Sequence, residues 1–325
     1  MTKRKRLFAV IISAVVIIAV AVYLIVALDG MGISLSRSIS HFLQRAFKPK
    51  YPLSFSIGDK GTADSIEGRT VVVSVFADLE HDKWDDELNG EAPDKVLGFV
   101  SMATDWISEK AAEYGVSAEY IYDWHEHPEL RYDSGKIGES YRIDLRTNDG
   151  YNSLWDYINN DIPSEELVNA FDADNILYIV FFNVSGGNSV PAFAKDCFFD
   201  TEFQYDMVFF PLQSGGLEMT ATTLTHEMLH LYGAPDWYKA LESGEELTFG
   251  VSADCVDYIR ENYPDDIMYR TFDKETLTPF YGDVIGGLSD ITAYYVGLLD
   301  EAPSAVQEYG LDLSTHDPLR QAYGE

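Results

Sequence analysis

Residues 225–238 read Thr-His-Glu-Met-Leu-His-Leu-Tyr-Gly-Ala-Pro-Asp-Trp-Tyr, with histidines, a glutamate and an aspartate at regular spacing. His226 and His230 are four residues apart, so a helix places both imidazoles on one face, where they can share a metal ion. Residues 219–231 contain no Gly or Pro. Gly233 stands where the helix must end, since glycine tolerates the left-handed turn. Asp236 follows on the returning chain and can bring a carboxylate to the same ion.

The donor types in this segment point to hydrolytic chemistry. Two neutral imidazoles and one further ligand leave an open position on Zn²⁺ for water. Zinc lowers the pKa of that water from 15.7 to about 7. Glu227, next to the first histidine, can take the proton and pass it to a leaving amine. The alternative interpretation is an amphipathic core helix whose histidines are incidental.

The pattern H-E-x-x-H-x-x-G-x-x-D resembles metzincin-like zinc metallopeptidases, in the variant with aspartate as third ligand that snapalysin-type and immune-inhibitor-type bacterial peptidases use. The family's downstream Met-turn is matched by Met268 within Asp-Ile-Met-Tyr at 266–269. The resemblance covers only about 226–269 of the chain. It implies a zincin-like α/β (α+β) fold, His226, His230 and Asp236 as zinc ligands, Glu227 as general base, and Met268 as the turn residue.

The sequence departs from the family pattern after the methionine. Some members have a tyrosine two positions after it, whereas Tyr269 is directly adjacent and Arg270 takes the next place. Tyr269 as an oxyanion stabiliser is therefore a hypothesis. The third ligand can also come from further downstream, as in thermolysin-like enzymes, where Asp254 and Asp257 are the candidates.

The remaining pattern predicts a mixed, twisted sheet with backing helices, followed by an irregular or helical C-terminal subdomain. Predicted strands lie at 69–79, 116–124, 175–184 and 206–212, with 141–146 as a further strand or edge. Predicted helices lie at 95–114, 151–170 (interrupted at Pro163), 219–231 and near 288–301. A cleft between the two parts would have the 226–230 helix as its floor. Residues 186–194 are either an ordinary loop or a rim to which a peptide adds as an extra strand.

The N-terminal segment predicts a membrane anchor. Residues 3–6 are all Lys or Arg, and 7–28 carry no charge, which meets the roughly 20 residues needed to span a bilayer. We expect a cytoplasmic tail at 1–6, a transmembrane helix at 7–28, a stalk at 29–50 and the peptidase domain at 51–325. Basic residues precede the span, so the domain is expected outside the cell.

Several alternatives to this arrangement stay open. The apolar run exceeds the core of a cleaved signal peptide, but cleavage would release a secreted enzyme. Basic residues at 37, 45, 48 and 50 also permit the reverse orientation. The segment 31–50 is either an amphipathic helix on the membrane surface or a helix packed on the domain.

Composition excludes one class of partner and leaves others open. With 54 acidic and 23 basic residues, the net charge of −31 repels phosphate backbones, so no nucleic acid is expected. Carboxylates at Asp82, Asp85, Asp86 and Glu87 could hold a structural Ca²⁺, but they lack the EF-hand spacing, and a charged surface loop is the simpler interpretation. His125 and His127 have the spacing of a surface metal site or of a solvated loop. Cys197 and Cys255 are either one disulfide or two buried thiols.

The sequence thus predicts a membrane-anchored zinc endopeptidase acting on peptides or proteins. One alternative keeps the zinc and Glu227 but acts as an amidase on cell-wall peptides. Another is a non-catalytic scaffold on the envelope, which would have no need of Glu227 as a base.

Overall fold

The computed structural model describes residues 61–84, 90–138, 148–184, 190–195, 205–238 and 253–308. These ranges all lie in one compact unit, Ser54–Glu325. The predicted tail, transmembrane helix and stalk at 1–50 and the predicted strand at 141–146 lie outside them. Within the described ranges, no helix is both long and apolar enough to cross a bilayer.

A mixed sheet forms the centre of the domain, as the sequence predicted. Its strands run in the order β2-β1-β4-β6-β5, and β3 also pairs with β1. All pairings are parallel except that of β5 with β6. The strands are β1 (Gly68–Leu79), β2 (Ala118–Ile121), β3 (Arg131–Gly138), β4 (Asn175–Phe182), β5 (Phe193–Lys195) and β6 (Met207–Pro211).

Burial explains which strands the sequence could reveal. Every residue of β4 and β6 is buried, and strands covered on both faces carry near-continuous apolar runs. The predicted strands at 69–79, 175–184 and 206–212 are therefore confirmed, and the one at 116–124 is confirmed as the shorter β2. Strand β3 was not predicted, because none of its residues is buried and it contains Gly135 at a positive φ.

Seven helices are described: α1 (Ala92–Glu113), α2 (Asn148–Asp161), α3 (Ser164–Ala170), α4 (Ala221–Leu231), α5 (Ala253–Asn262), α6 (Asp290–Tyr295) and α7 (Ser304–Glu308). The predicted helices at 95–114 and 219–231 are confirmed as α1 and α4. The helical region at 151–170 divides into α2 and α3 around Pro163, as predicted. The helical pattern near 288–301 corresponds to the shorter α6.

Helix α4 is held against the sheet by its apolar face. It packs on α1 and contacts β5 and β6, and its residues Leu224, Met228 and Leu231 are fully buried. At its start the Thr220 side chain accepts a hydrogen bond from the Thr223 N–H, a cap that satisfies one of the helix's open donors. The short hairpin of β7 (Gln213–Ser214) and β8 (Leu217–Glu218) connects β6 to this helix.

A buried carboxylate connects β6 to the start of the described chain. Asp206 is fully buried and accepts a hydrogen bond from the Ala63 N–H at 2.5 Å. Its own N–H donates to the Thr62 hydroxyl at 3.1 Å. Segment 61–63 is therefore fixed to the sheet by polar contacts that burial shields from water.

We expect Asp206→Asn to lower the free energy of unfolding by about 1–3 kcal/mol, because hydrogen bonds to a buried charged group contribute that much. Chemical denaturation of the zinc-loaded protein would measure the change. A variant as stable as the wild type would show that this carboxylate does not hold segment 61–63.

Candidate metal centre

Helix α4 presents two imidazoles to one point in space. His226 is 2% exposed, and His230 lies one turn further along the same face. Their rings are 4.7 Å apart between centroids and nearly perpendicular. Their Nε2 atoms are 3.2 Å apart. The i, i+4 spacing has therefore produced the paired donors that the sequence predicted.

The chain reverses immediately after α4 and returns a carboxylate to these imidazoles. Gly233 has a φ of 101°, a conformation that L side chains rarely adopt, and its N–H donates to the His230 carbonyl at 2.9 Å. Three residues later, Asp236 Oδ1 lies 3.1 Å from His226 Nε2 and 3.2 Å from His230 Nε2. Two histidines and one aspartate thus meet at a single point.

The three donor atoms fit a tetrahedral zinc ion. Ligand bonds of about 2.0–2.1 Å set neighbouring ligand atoms about 3.3 Å apart in a tetrahedron, and the three observed separations are 3.1–3.2 Å. Nitrogen and carboxylate donors are the types zinc accepts, and three protein ligands is the number typical of catalytic sites. In the described part of the chain this is the one group of three or more His, Cys, Asp or Glu side chains close enough to hold a metal.

Backbone carbonyls orient both imidazoles toward the site. His226 Nδ1 lies 3.0 Å from the Ile267 carbonyl, and His230 Nδ1 lies 2.6 Å from the Ala234 carbonyl. Since a carbonyl can only accept, each Nδ1 carries the hydrogen. The Nε2 lone pairs are therefore left for a metal, which is how outer partners fix the tautomer of a ligating histidine.

The electrostatics of the site favour a cation. Burial disfavours the charged form of His230, but the Asp236 carboxylate outweighs it and raises the pKa of His230 to about 9. Burial also disfavours ionised Asp236, yet the charges and hydrogen bonds of the two histidines hold its pKa well below the usual range. A proton at His230 thus occupies a position where a metal ion would be stabilised by the same carboxylate.

Glu227 and Met268, the residues predicted as general base and turn residue, are both buried. Glu227 follows His226 on α4 and is 8% exposed. Met268 is fully buried, and its carbonyl accepts the Trp237 N–H at 3.1 Å. The Ile267 carbonyl before it accepts from His226. The segment around Met268 therefore contacts both elements that carry the ligands.

Tyr269, the predicted oxyanion stabiliser, has described contacts with Asp266 and Lys274. Its N–H donates to the Asp266 carbonyl at 2.9 Å, and the Lys274 ammonium lies 3.4 Å from its ring centroid. No described contact joins it to His226, His230 or Asp236. Its role as oxyanion stabiliser therefore stays a hypothesis.

The alternative candidates are elsewhere in the described structure or outside it. Asp257 is half-exposed and pairs with Arg260 at 2.8 Å. The side chains of Asp254 and Cys255 lie outside the described part of the structure, as do residues Asp85, Asp86, Glu87 and Cys197. His125 pairs with Asp94 at 2.9 Å on the surface. His127 stacks edge-on against Phe171.

The sequence interpretation overlooked one residue at the site. Tyr238 is half-buried, and its ring centroid lies 6.0 Å from that of His226. Its position two residues after Asp236 was the available signal.

Two comparisons with known proteins found no match. No protein-family model matches the chain, and no curated protein matches it. The function is therefore inferred from the geometry of the site.

We expect Asp236→Ala to weaken zinc binding far more than Asp257→Ala. Loss of an outer partner typically costs about 10–100-fold in affinity, and loss of a ligand should exceed that. Competition with a chromophoric chelator would measure both variants beside the wild type. Equal affinities for wild type and Asp236→Ala would rule out Asp236 as the third ligand.

Proposed function

We propose that this protein is a zinc-dependent endopeptidase with a zincin-like fold. The observation that carries the proposal is the triangle of His226 Nε2, His230 Nε2 and Asp236 Oδ1, with separations of 3.1–3.2 Å. Glu227 directly follows His226 on α4. A site that only stores zinc has no need of a carboxylate beside the first ligand, whereas a hydrolase needs one as a base.

Each residue has a distinct part in the proposed reaction. Zinc, when bound, supplies Lewis acidity toward the scissile carbonyl and toward water. Glu227 takes a proton from the attacking water as its oxygen bonds to the carbonyl carbon. The carbon–nitrogen bond then breaks, and Glu227 delivers the proton to the leaving amine. His226, His230 and Asp236 keep the metal fixed during these steps.

A second hydrogen-bond donor near the carbonyl would stabilise the developing oxyanion, and Tyr238 is our candidate for it. Its ring lies near that of His226, with 6.0 Å between the two ring centroids. Tyr269, by contrast, packs under Lys274. We therefore assign the oxyanion role to Tyr238 in place of Tyr269.

The sheet edge next to α4 supports an extended peptide as substrate. Strand β5 is the end strand of the sheet order and pairs antiparallel with β6, and α4 packs against it. Strand β5 overlaps the end of segment 186–194, which the sequence allowed as either an ordinary loop or a peptide-binding rim. A peptide that pairs with β5 through its backbone would lie along the helix that carries the ligands.

The proposed location is the outer face of a membrane. The uncharged segment 7–28 follows four basic residues, which favours a cytoplasmic N-terminus and an external domain. The catalytic proposal does not depend on this location, because all the residues it uses lie between 226 and 268.

We expect Glu227→Gln to lower peptide cleavage by about 100-fold or more, the range for loss of a general base, while zinc content stays at one ion per chain. The full chain in mild detergent would be incubated with an unbiased peptide mixture and a cell-wall peptide, and products read by mass spectrometry. Cleavage of only the cell-wall peptide would favour the amidase, and bound zinc without any hydrolysis would favour the scaffold.

We expect Tyr238→Phe to lower kcat by about 100-fold with little change in KM, because one oxyanion donor contributes on that scale and acts chiefly in the transition state. Tyr269→Phe is the matched control and should retain near wild-type kcat. If the two variants exchanged these results, Tyr269 would be the oxyanion donor.

A further inference from the structure

One buried carboxylate behind the metal centre has no part in the chemistry described so far. Asp266 is 2% exposed. Its Oδ1 accepts the Met268 N–H at 2.7 Å, and its Oδ2 accepts the Ser289 N–H at 2.9 Å and the Thr292 hydroxyl at 2.7 Å. Asp266 thereby joins the segment around Met268 to the first turn of α6.

The bond from Asp266 to the Met268 N–H closes a turn over Ile267. The carbonyl of Ile267 is the group that accepts from His226 Nδ1 at 3.0 Å. Its direction is set on one side by this turn and on the other by the Ile267 N–H, which donates to the Gly287 carbonyl at 2.9 Å. Asp266 therefore determines where the acceptor for the first ligand points.

A second connection runs from Asp266 to the third ligand. The Thr292 hydroxyl that donates to Asp266 also accepts the Trp237 indole N–H at 2.9 Å. Trp237 is fully buried and directly follows Asp236. Its backbone N–H donates to the Met268 carbonyl at 3.1 Å. The position of Asp236 is thus fixed through its neighbour, by side chain and by backbone.

The network requires an acceptor at both oxygens of residue 266. Thr292 has a single hydroxyl hydrogen, which goes to Asp266 because its oxygen accepts from Trp237 and from Ser289 Oγ. In an asparagine, an amide NH₂ group in place of Oδ2 would point its hydrogens at the Ser289 N–H and at the Thr292 hydroxyl, which are themselves donors. One buried donor would then lose its partner, and both connections to the ligands would shift.

We propose that Asp266 is a positioning residue of the metal centre, which fixes His226 through the Ile267 carbonyl and Asp236 through Thr292 and Trp237. This inference rests on the zinc site of the proposed function. It predicts that Asp266 controls metal affinity and coordination without touching the metal, as outer hydrogen-bond partners of ligands do.

The test compares Asp266→Asn with Asp206→Asn in the full chain. Both replace a buried carboxylate that accepts a backbone N–H, but the described hydrogen bonds of the Asp206 carboxylate run to residues 62 and 63. We expect Asp266→Asn to weaken zinc binding by about tenfold or more and to change the visible absorption of the cobalt-substituted protein. Asp206→Asn should lose stability and keep wild-type zinc affinity and cobalt spectrum.

A second pair of variants keeps the test decisive if Asp266→Asn fails to fold. Thr292→Val removes the hydroxyl between Asp266 and Trp237 but leaves the bonds from Asp266 to the backbone. Thr292→Val should lower zinc affinity, whereas Thr292→Ser, which keeps the hydroxyl, should retain the wild-type affinity. Thr104→Val is the control, since Thr104 is equally buried but donates to the Val100 carbonyl within α1.

The outcomes separate this inference from the proposed function. If the wild type binds no zinc, both are overturned. If the wild type binds one zinc ion while Asp266→Asn and Thr292→Val match its affinity and cobalt spectrum, the zinc site stands and the positioning role is overturned. If Asp206→Asn weakens zinc binding as much as Asp266→Asn, the effect follows global stability, and the inference is again overturned.

Discussion

The contact of one aspartate with two imidazoles is the constraint on which the rest of the site depends. Asp236 Oδ1 lies almost equally far from His226 Nε2 and His230 Nε2, and this requires the chain to reverse directly after α4. Gly233 permits the reversal through its positive φ. A side chain at that position would be strained in this conformation, so the third donor reaches the first two only because the helix ends at a glycine.

Apolar burial and polar contacts have separate tasks around this centre. Burial against β5, β6 and α1 holds α4 in place, but apolar packing is non-directional and cannot aim a ring. The orientation of the two imidazole rings is set by their hydrogen bonds to the carbonyls of Ile267 and Ala234. Those carbonyls belong to segments fixed by their own hydrogen bonds, so the precision of the site is distributed over chain segments far apart in sequence.

The sequence predicted what depends on local spacing and missed what depends on distant contacts. The paired histidines, the helix that carries them and the buried strands β1, β4 and β6 follow from periods of about four residues or from continuous apolar runs. Strand β3 was missed in the sequence because none of its residues is buried and Gly135 interrupts it, so it has no continuous apolar run. The role of Asp266 could not be predicted, since its partners Ser289 and Thr292 lie more than twenty residues away and no spacing rule relates them.

The charges of the donor set are consistent with the hydrolysis that we propose. Both histidines give their Nδ1 hydrogen to a backbone carbonyl, so each imidazole would offer its Nε2 lone pair to a metal ion as a neutral donor. Asp236 contributes the single negative charge among the three ligands. A divalent ion held there keeps a net positive charge, and this charge polarises a carbonyl and acidifies water. A second carboxylate ligand would bind the ion more tightly but would cancel that charge. The observed set therefore suits a metal that must act on a substrate better than one that only stabilises a fold.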